Sequence, residues 1–365
     1  MEADGLAPAR PVRPPSGPWV WIAARAVCYL LLTGALGACA SNPPSPGPGP
    51  PIAITWPSPP DPPRVRYVGT LVGEIDVRGS VNRSLWSRIW RGLVGESTAR
   101  VFAKPVDVEV DARGRIYVAD TGLACVHVLD KAKGRYRQLR DVIGHRSLVS
   151  PVGVAVGPDG RVFVADSELR LIAVYSPEGK AIASWGERSL KRPSDPAPGP
   201  DGSLYVADVE AHQIVQFAPD GTERRRFGKR GTGPGEFNYP SHLAVDPGGG
   251  LWVVDALNAR VQHLDPEGRF VSTFGKAGDG TGDFGRPKGI VIGPGGVLWI
   301  VDALFDVIQL FRSDGTLLLV VGGPGRSPGQ FWLPMGITLE SGGLVYVADS
   351  YNARIQVLDA KGTAP

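Results

Sequence analysis

Cysteine is scarce in this 365-residue chain: there are three, Cys28, Cys39 and Cys125, and no Cys-x-x-Cys pair. If a leader is removed ahead of Cys39, Cys28 leaves with it, and acylation of Cys39 leaves Cys125 alone. No intramolecular disulfide and no cysteine metal cluster then stands. Charge of one sign is lacking too. Lys and Arg number 39 against 36 Asp and Glu, a net +3, which offers no electrostatic case for a nucleic-acid partner. There is no His-Glu-x-x-His and no phosphate-loop Gly-Lys-Ser/Thr, so neither a zinc-hydrolase helix nor a nucleotide cradle is signalled. The uncharged run Ala26 to Leu36 falls short of the ~20 apolar residues that a mature spanning helix needs. What the chain has in plenty is glycine (49) and proline (35). They recur at fixed places between apolar runs and read as turn punctuation in an all-β chain.

The N-terminus reads as an address. Arginines precede the run Ala26 to Leu36, which has the length of a signal-peptide core. It ends at Leu36-Gly37-Ala38-Cys39, which resembles a bacterial lipobox; the resemblance implies a signal peptide over 1–38 and a lipid on Cys39. Residues 39–64 are proline-dense and are expected to be an extended tether that neither pairs in a sheet nor forms a helix. Ala40 after the cysteine points to the outer membrane, with the protein facing the periplasm.

The body, 65–365, is an internal repeat. Segments begin at Pro105, Pro151, Pro193, Pro240, Pro287 and Pro334, and each has an apolar run ending at Asp120, Asp166, Asp208, Asp255, Asp302 and Asp349. Both markers give the same spacings, 46, 42, 47, 47 and 47, so the register is fixed twice over. Runs such as Arg161-Val-Phe-Val-Ala-Asp166 are β-branched and aromatic, and Gly-containing turns separate four such runs per copy. Four short antiparallel strands per unit make a propeller blade, and six copies predict a six-bladed β-propeller. The sixth copy lacks its outer strand. Tyr67 to Gly73 matches Phe270 to Gly275 and is expected to supply it, closing the ring. Pro196 and Pro198 in the third copy are tolerable only on an innermost strand, with both missing N–H groups on the unpaired side.

The unit Pro-x-Gly-Ile/Val-x-Val-x-Pro-x-Gly-x-Leu/Val-Tyr/Trp-Val-Ala/Val-Asp-x-x-Asn-x-Arg-Ile/Val-Gln resembles the NHL repeat. It is fullest over Pro240 to Gln262 and Pro334 to Gln356. With the lipobox and the proline-rich segment, the chain looks like the bacterial NHL-repeat lipoproteins. The other four copies depart from the Asn-x-Arg pair, so a site of repeated arginines is not expected.

The repeated aspartates suggest an architectural task, accepting backbone N–H groups of the following turn. More distinctive is the position two residues after each repeat proline: Asp107, Gly153, Asp195, His242, Gly289, Gly336. Asp107, Asp195 and His242 place ionisable groups where the repeat prefers glycine, at the mouth of the central channel. They could bind a cation or polarise a substrate, or line a polar mouth that holds ordered water. His127, His145, His212 and His263 sit at unrelated phases of the repeat and suggest no cluster. The glycine-rich stretches Gly228 to Phe237 and Gly275 to Phe284 read as blade-to-blade turns. Residues 82–94 place Trp86, Ile89, Trp90 and Leu93 on one face and predict a short amphipathic helix that caps the propeller or docks a partner or membrane.

Together these readings predict a monomeric, membrane-tethered, non-enzymatic scaffold. It needs no cofactor and presents a propeller face to an envelope protein, peptide or glycan. The alternative is a metal-dependent hydrolase or lyase using Asp107, Asp195 and His242.

Overall fold

The computed structural model describes residues 53–78 and 101–360. The leader, Cys39 and the helix expected over 82–94 lie outside the described residues.

Strand burial follows position in the ring. In the fourth unit the strands are Pro240–Val245, Leu251–Asp255, Arg260–Leu264 and Phe270–Phe274, in that order across the sheet. Leu251–Asp255 is buried along its whole length because neighbouring blades cover both of its faces. Its composition is accordingly apolar without alternation. Phe270–Phe274, at the rim, alternates between half-buried and exposed, the pattern of a strand with one wet face. All six units repeat this arrangement as antiparallel sheets. The core lies between the sheets. Between the second and third units, for instance, Phe163, Val174 and Trp185 pack on Leu204, Val206 and Val215.

Closure follows the expected route. Val65–Leu71 pairs antiparallel with Arg354–Asp359, placing Arg66 opposite Asp359, Tyr67 opposite Leu358 and Leu71 opposite Ile355. The buried side chains Val65 and Leu71 key into the cores on either side of that sheet. One detail differs from the tether reading. Thr55–Trp56 adds a short edge strand beyond Val65–Leu71, with Arg64 N donating to the Trp56 carbonyl at 2.8 Å. Ile54, Thr55 and Trp56 interrupt the prolines with residues that pair and pack, and Trp56 joins the core of the last blade.

Pro193–Pro198 is the innermost strand of its blade and pairs only with Leu204–Asp208, so Pro196 and Pro198 leave its single ladder intact. The glycine-rich stretches are connections between blades. Phe237, Phe284 and Phe331 of these loops are fully buried and plug the seams.

Candidate functional site

The repeated aspartates come first because they hold the strand ends that frame the channel. All six are fully buried. Asp166 accepts from the backbone N–H groups of Val149 and Ser150 ahead of its own repeat proline, and of Glu168 and Leu169 in the following turn, at 2.7 to 3.2 Å. The expected turn bonds form at Asp120, Asp166 and Asp302, whereas the reach back to the start of the blade is an addition shared by all six. Where Asn-x-Arg-x-Gln is complete, side chains join in. Asp349 accepts from Asn352 Nδ2, from Arg354 Nε at 2.7 Å and from Gln356 Nε2 at 3.0 Å. Arg354 also donates to the carbonyls of Arg326, Ser327 and Gln330, clamping the inter-blade loop. The signature is thus a fastening for that loop.

This places two motifs that resemble catalytic ones. Gly325-Arg326-Ser327-Pro328-Gly329 spells a nucleophile elbow, but it lies in the clamped loop and leads into the strand Pro334–Leu339 instead of a helix. Cys125 Sγ stands 3.5 Å from His127 Nε2, which stands 3.2 Å from Asp120 Oδ2, and all three residues are fully buried. His127 is therefore not at an unrelated phase: it occupies the glutamine position of the repeat and does that residue's work on the aspartate. His212 Nδ1 accepts from Tyr239 N, and His263 stacks on Trp252.

At the axis, each inner strand turns an unpaired edge to the channel. Asp107 Oδ2 accepts from Val154 N of the next blade at 2.8 Å, and Asp195 Oδ2 accepts from Leu243 N at 2.7 Å. Each carboxylate thus satisfies an edge N–H that the neighbouring sheet cannot. The glycines at the same phase make room for this. A Cβ on Gly336 would fall 2.0 Å from Asp107 Oδ1, and one on Gly153 would fall 2.1 Å from the Ser194 carbonyl.

Asp107, Asp195 and His242 do line one cavity, of about 260 Å³, with Glu109 and Thr338. Among the described residues, however, no three His, Cys, Asp or Glu side chains are arranged as a metal-ligand set. Burial pushes Asp107 up to about 7 and Glu109 to about 8, and burial with the charge of Asp107 holds Asp195 well above the usual carboxylate range. Glu109 joins the cluster without having been expected from the sequence, although its signal is there: it lies two residues beyond Asp107 on the same strand face, where the other units carry Ala, Val or Thr. Its Oε2 accepts from Thr338 Oγ1 at 2.8 Å. His242 has neither ring nitrogen partnered, and burial with the charge of Lys288 pushes it down to about 3. It is a neutral imidazole with no carboxylate to orient it.

His242 also lines a second cavity, of about 410 Å³, where the inner strands begin. Arg192 and Arg286, just ahead of the repeat prolines of blades three and five, stand at this mouth with Lys288 and Ser241. Among the described residues, no carboxylate lines it. On the same face Leu257, Leu304 and Tyr351 follow the repeated aspartates of blades four to six, each more than half exposed, beside Tyr239 and Trp332.

The fold and its axis define a six-bladed β-propeller with an acidic channel and a basic mouth. Segments 148–174 and 331–358 match the NHL repeat, so the chain carries NHL repeats within that ring. No curated protein matches it. Among solved structures, it is similar to a structural-genomics protein of unknown function from Bacteroides thetaiotaomicron, at 18% identity and TM-score 0.59, over 72% of this chain and 70% of that one. It is also similar to a catalytically inactive virginiamycin B lyase from Staphylococcus aureus with quinupristin, at 18% identity and TM-score 0.54, over 72% and 86%. An auxiliary nutrient binding protein from Bacteroides ovatus is similar at 14% identity and TM-score 0.54, over 70% and 69%. At these identities the likeness establishes the fold alone.

Proposed function

We propose that this chain is a lipid-tethered binding propeller, anchored through Cys39 in the outer membrane, that presents the face carrying Leu257, Leu304 and Tyr351 to an envelope protein, peptide or glycan. The observation that carries this reading is the contrast between the two ends of the channel. Asp107 and Asp195 already accept backbone N–H bonds and His242 lacks an orienting partner, so the axial groups are not assembled as acid, base or nucleophile. The opposite is true of the display face, where the apolar side chains Leu257, Leu304 and Tyr351 stand open at equivalent positions on three consecutive blades, near the basic residues Arg192, Arg286 and Lys288 of blades three and five. Exposed apolar patches of this kind mark interaction surfaces. A hydrolase or lyase reading borrows the names of fold neighbours, and no residue here favours it.

Photo-crosslinking in intact cells tests the proposal. A crosslinker at Leu304 is expected to give a discrete adduct, whereas one at Asp159, in a turn at the opposite end of the strands, gives none. Equal labelling from both positions, or none from either, would contradict it.

A further inference from the structure

The basic mouth has the makings of a built site. Arg192, Arg286 and Lys288 converge on it, and none of the three has a hydrogen-bonded or ion-paired side-chain partner among the described residues. The repeated aspartates on the same turns are not counter-ions in reserve. Asp208 and Asp302 are fully buried and accept from the backbone N–H groups of Arg192 and Arg286 themselves. Burial, and after it the charges of Arg286 and Arg192, push Lys288 down to about 8. A second, independent observation points the same way. Ser241 and His242 are each at least nine-tenths buried, and Ser241 Oγ and both ring nitrogens of His242 have no hydrogen-bond partner. Buried polar atoms of that kind are costly unless something else satisfies them.

We infer that this mouth is an oxyanion-binding site, holding the carboxylate or phosphate of a small ligand between Arg192, Arg286 and Lys288, with Ser241 and His242 as donors at its floor. Arg groups offer paired N–H donors to such oxygens, while Lys288 acts as a point charge. Val106, Val152, Leu257 and Met335 line the same cavity and suit an apolar body attached to the anion. The inference goes beyond the display reading and does not need a macromolecular partner, so failure of crosslinking leaves it standing.

Calorimetric titration of the full-length chain, first with inorganic phosphate and separately with hexanoate, tests it. Saturable binding of at least one probe is expected, and the tighter probe names the anion. Lys288→Met and Arg192→Gln are each expected to weaken that binding by about ten-fold or more, the loss of one charge-assisted contact. Lys288→Arg should keep most of it, which separates charge loss from misfolding, and Lys229→Gln, a surface lysine elsewhere, should leave it unchanged. No saturable binding of either probe, or binding that Lys288→Met and Arg192→Gln leave intact, overturns the inference.

Discussion

Gly336 of the last blade lies so close to Asp107 of the first that a Cβ on the glycine would stand 2.0 Å from the carboxylate oxygen Oδ1 and 2.7 Å from the Asp107 Cα. Backbone and side chain are thus fitted across the seam where the ring closes. Gly336→Ala forces the two strands apart, with an expected loss of about 1–3 kcal/mol, the usual cost of overpacking. Asp107→Ala leaves the Val154 N–H without its acceptor and should cost about 1–3 kcal/mol, while Asp107→Asn keeps an acceptor oxygen and should cost less. Urea unfolding of the three variants ranks them.

The repeated aspartates should be the most sensitive polar positions in the chain. Asp349→Ala strips the acceptor from Trp332 N, Asn352, Arg354 and Gln356 and leaves a partly buried guanidinium unpaired. A loss of about 3–5 kcal/mol is expected. Asp314→Ala, on an exposed turn, should change stability little. Similar midpoints for the two variants would refute the fastening role.

Stability should depend on pH through the channel carboxyls. Asp107 and Glu109 hold protons in the folded protein up to about 7 and about 8, whereas the unfolded chain releases them in the ordinary carboxylate range. The folded state therefore binds more protons between about pH 4 and about pH 8, and this contribution falls as pH rises through that window. Asp107→Asn combined with Glu109→Gln removes their share of the dependence and leaves that of Asp195, which burial also holds above the usual carboxylate range. The melting temperature of the variant relative to the native chain should rise steadily from pH 4 to pH 8. A constant difference would argue against the buried cluster.

The proposed tethering rests on one atom, the Cys39 sulfur. Cys39→Ser is expected to abolish incorporation of an alkyne-labelled fatty acid and to remove the chain from the membrane fraction, with the propeller still folded. Retained label would assign the lipid elsewhere.

How far could these features be read from the sequence? The ring was legible because it is periodic: Pro105 through Pro334 and Asp120 through Asp349 keep one register, and Val65–Leu71 matches the strand the last blade lacks. Asp107, Asp195 and His242 stood out as breaks in a glycine position, and they do line one cavity. Their partners were not legible, because Val154 and Leu243 belong to neighbouring blades about one repeat away. The basic mouth escaped for a related reason. Arg192, Arg286 and Lys288 are unremarkable surface residues along the chain and become a group only when blades three and five flank blade four around the axis. The role of His127 is hidden in the sequence because it shows only when Cys125 and His127 are aligned on the Arg and Gln of the fullest copies. Thr55–Trp56 was hidden by the prolines around it.

Both mouths exist only because the ring is closed by its own N-terminal strand, and a cysteine pair tests that directly. Arg66 and Asp359 lie directly opposite each other in the ladder. Arg66→Cys with Asp359→Cys should form an intramolecular disulfide under mild oxidation and raise the melting temperature. The pair Arg66→Cys with Asp265→Cys, whose second member sits at the matching place in blade four, should stay reduced. A disulfide in the second pair, or its absence in the first, would contradict the closed six-bladed ring.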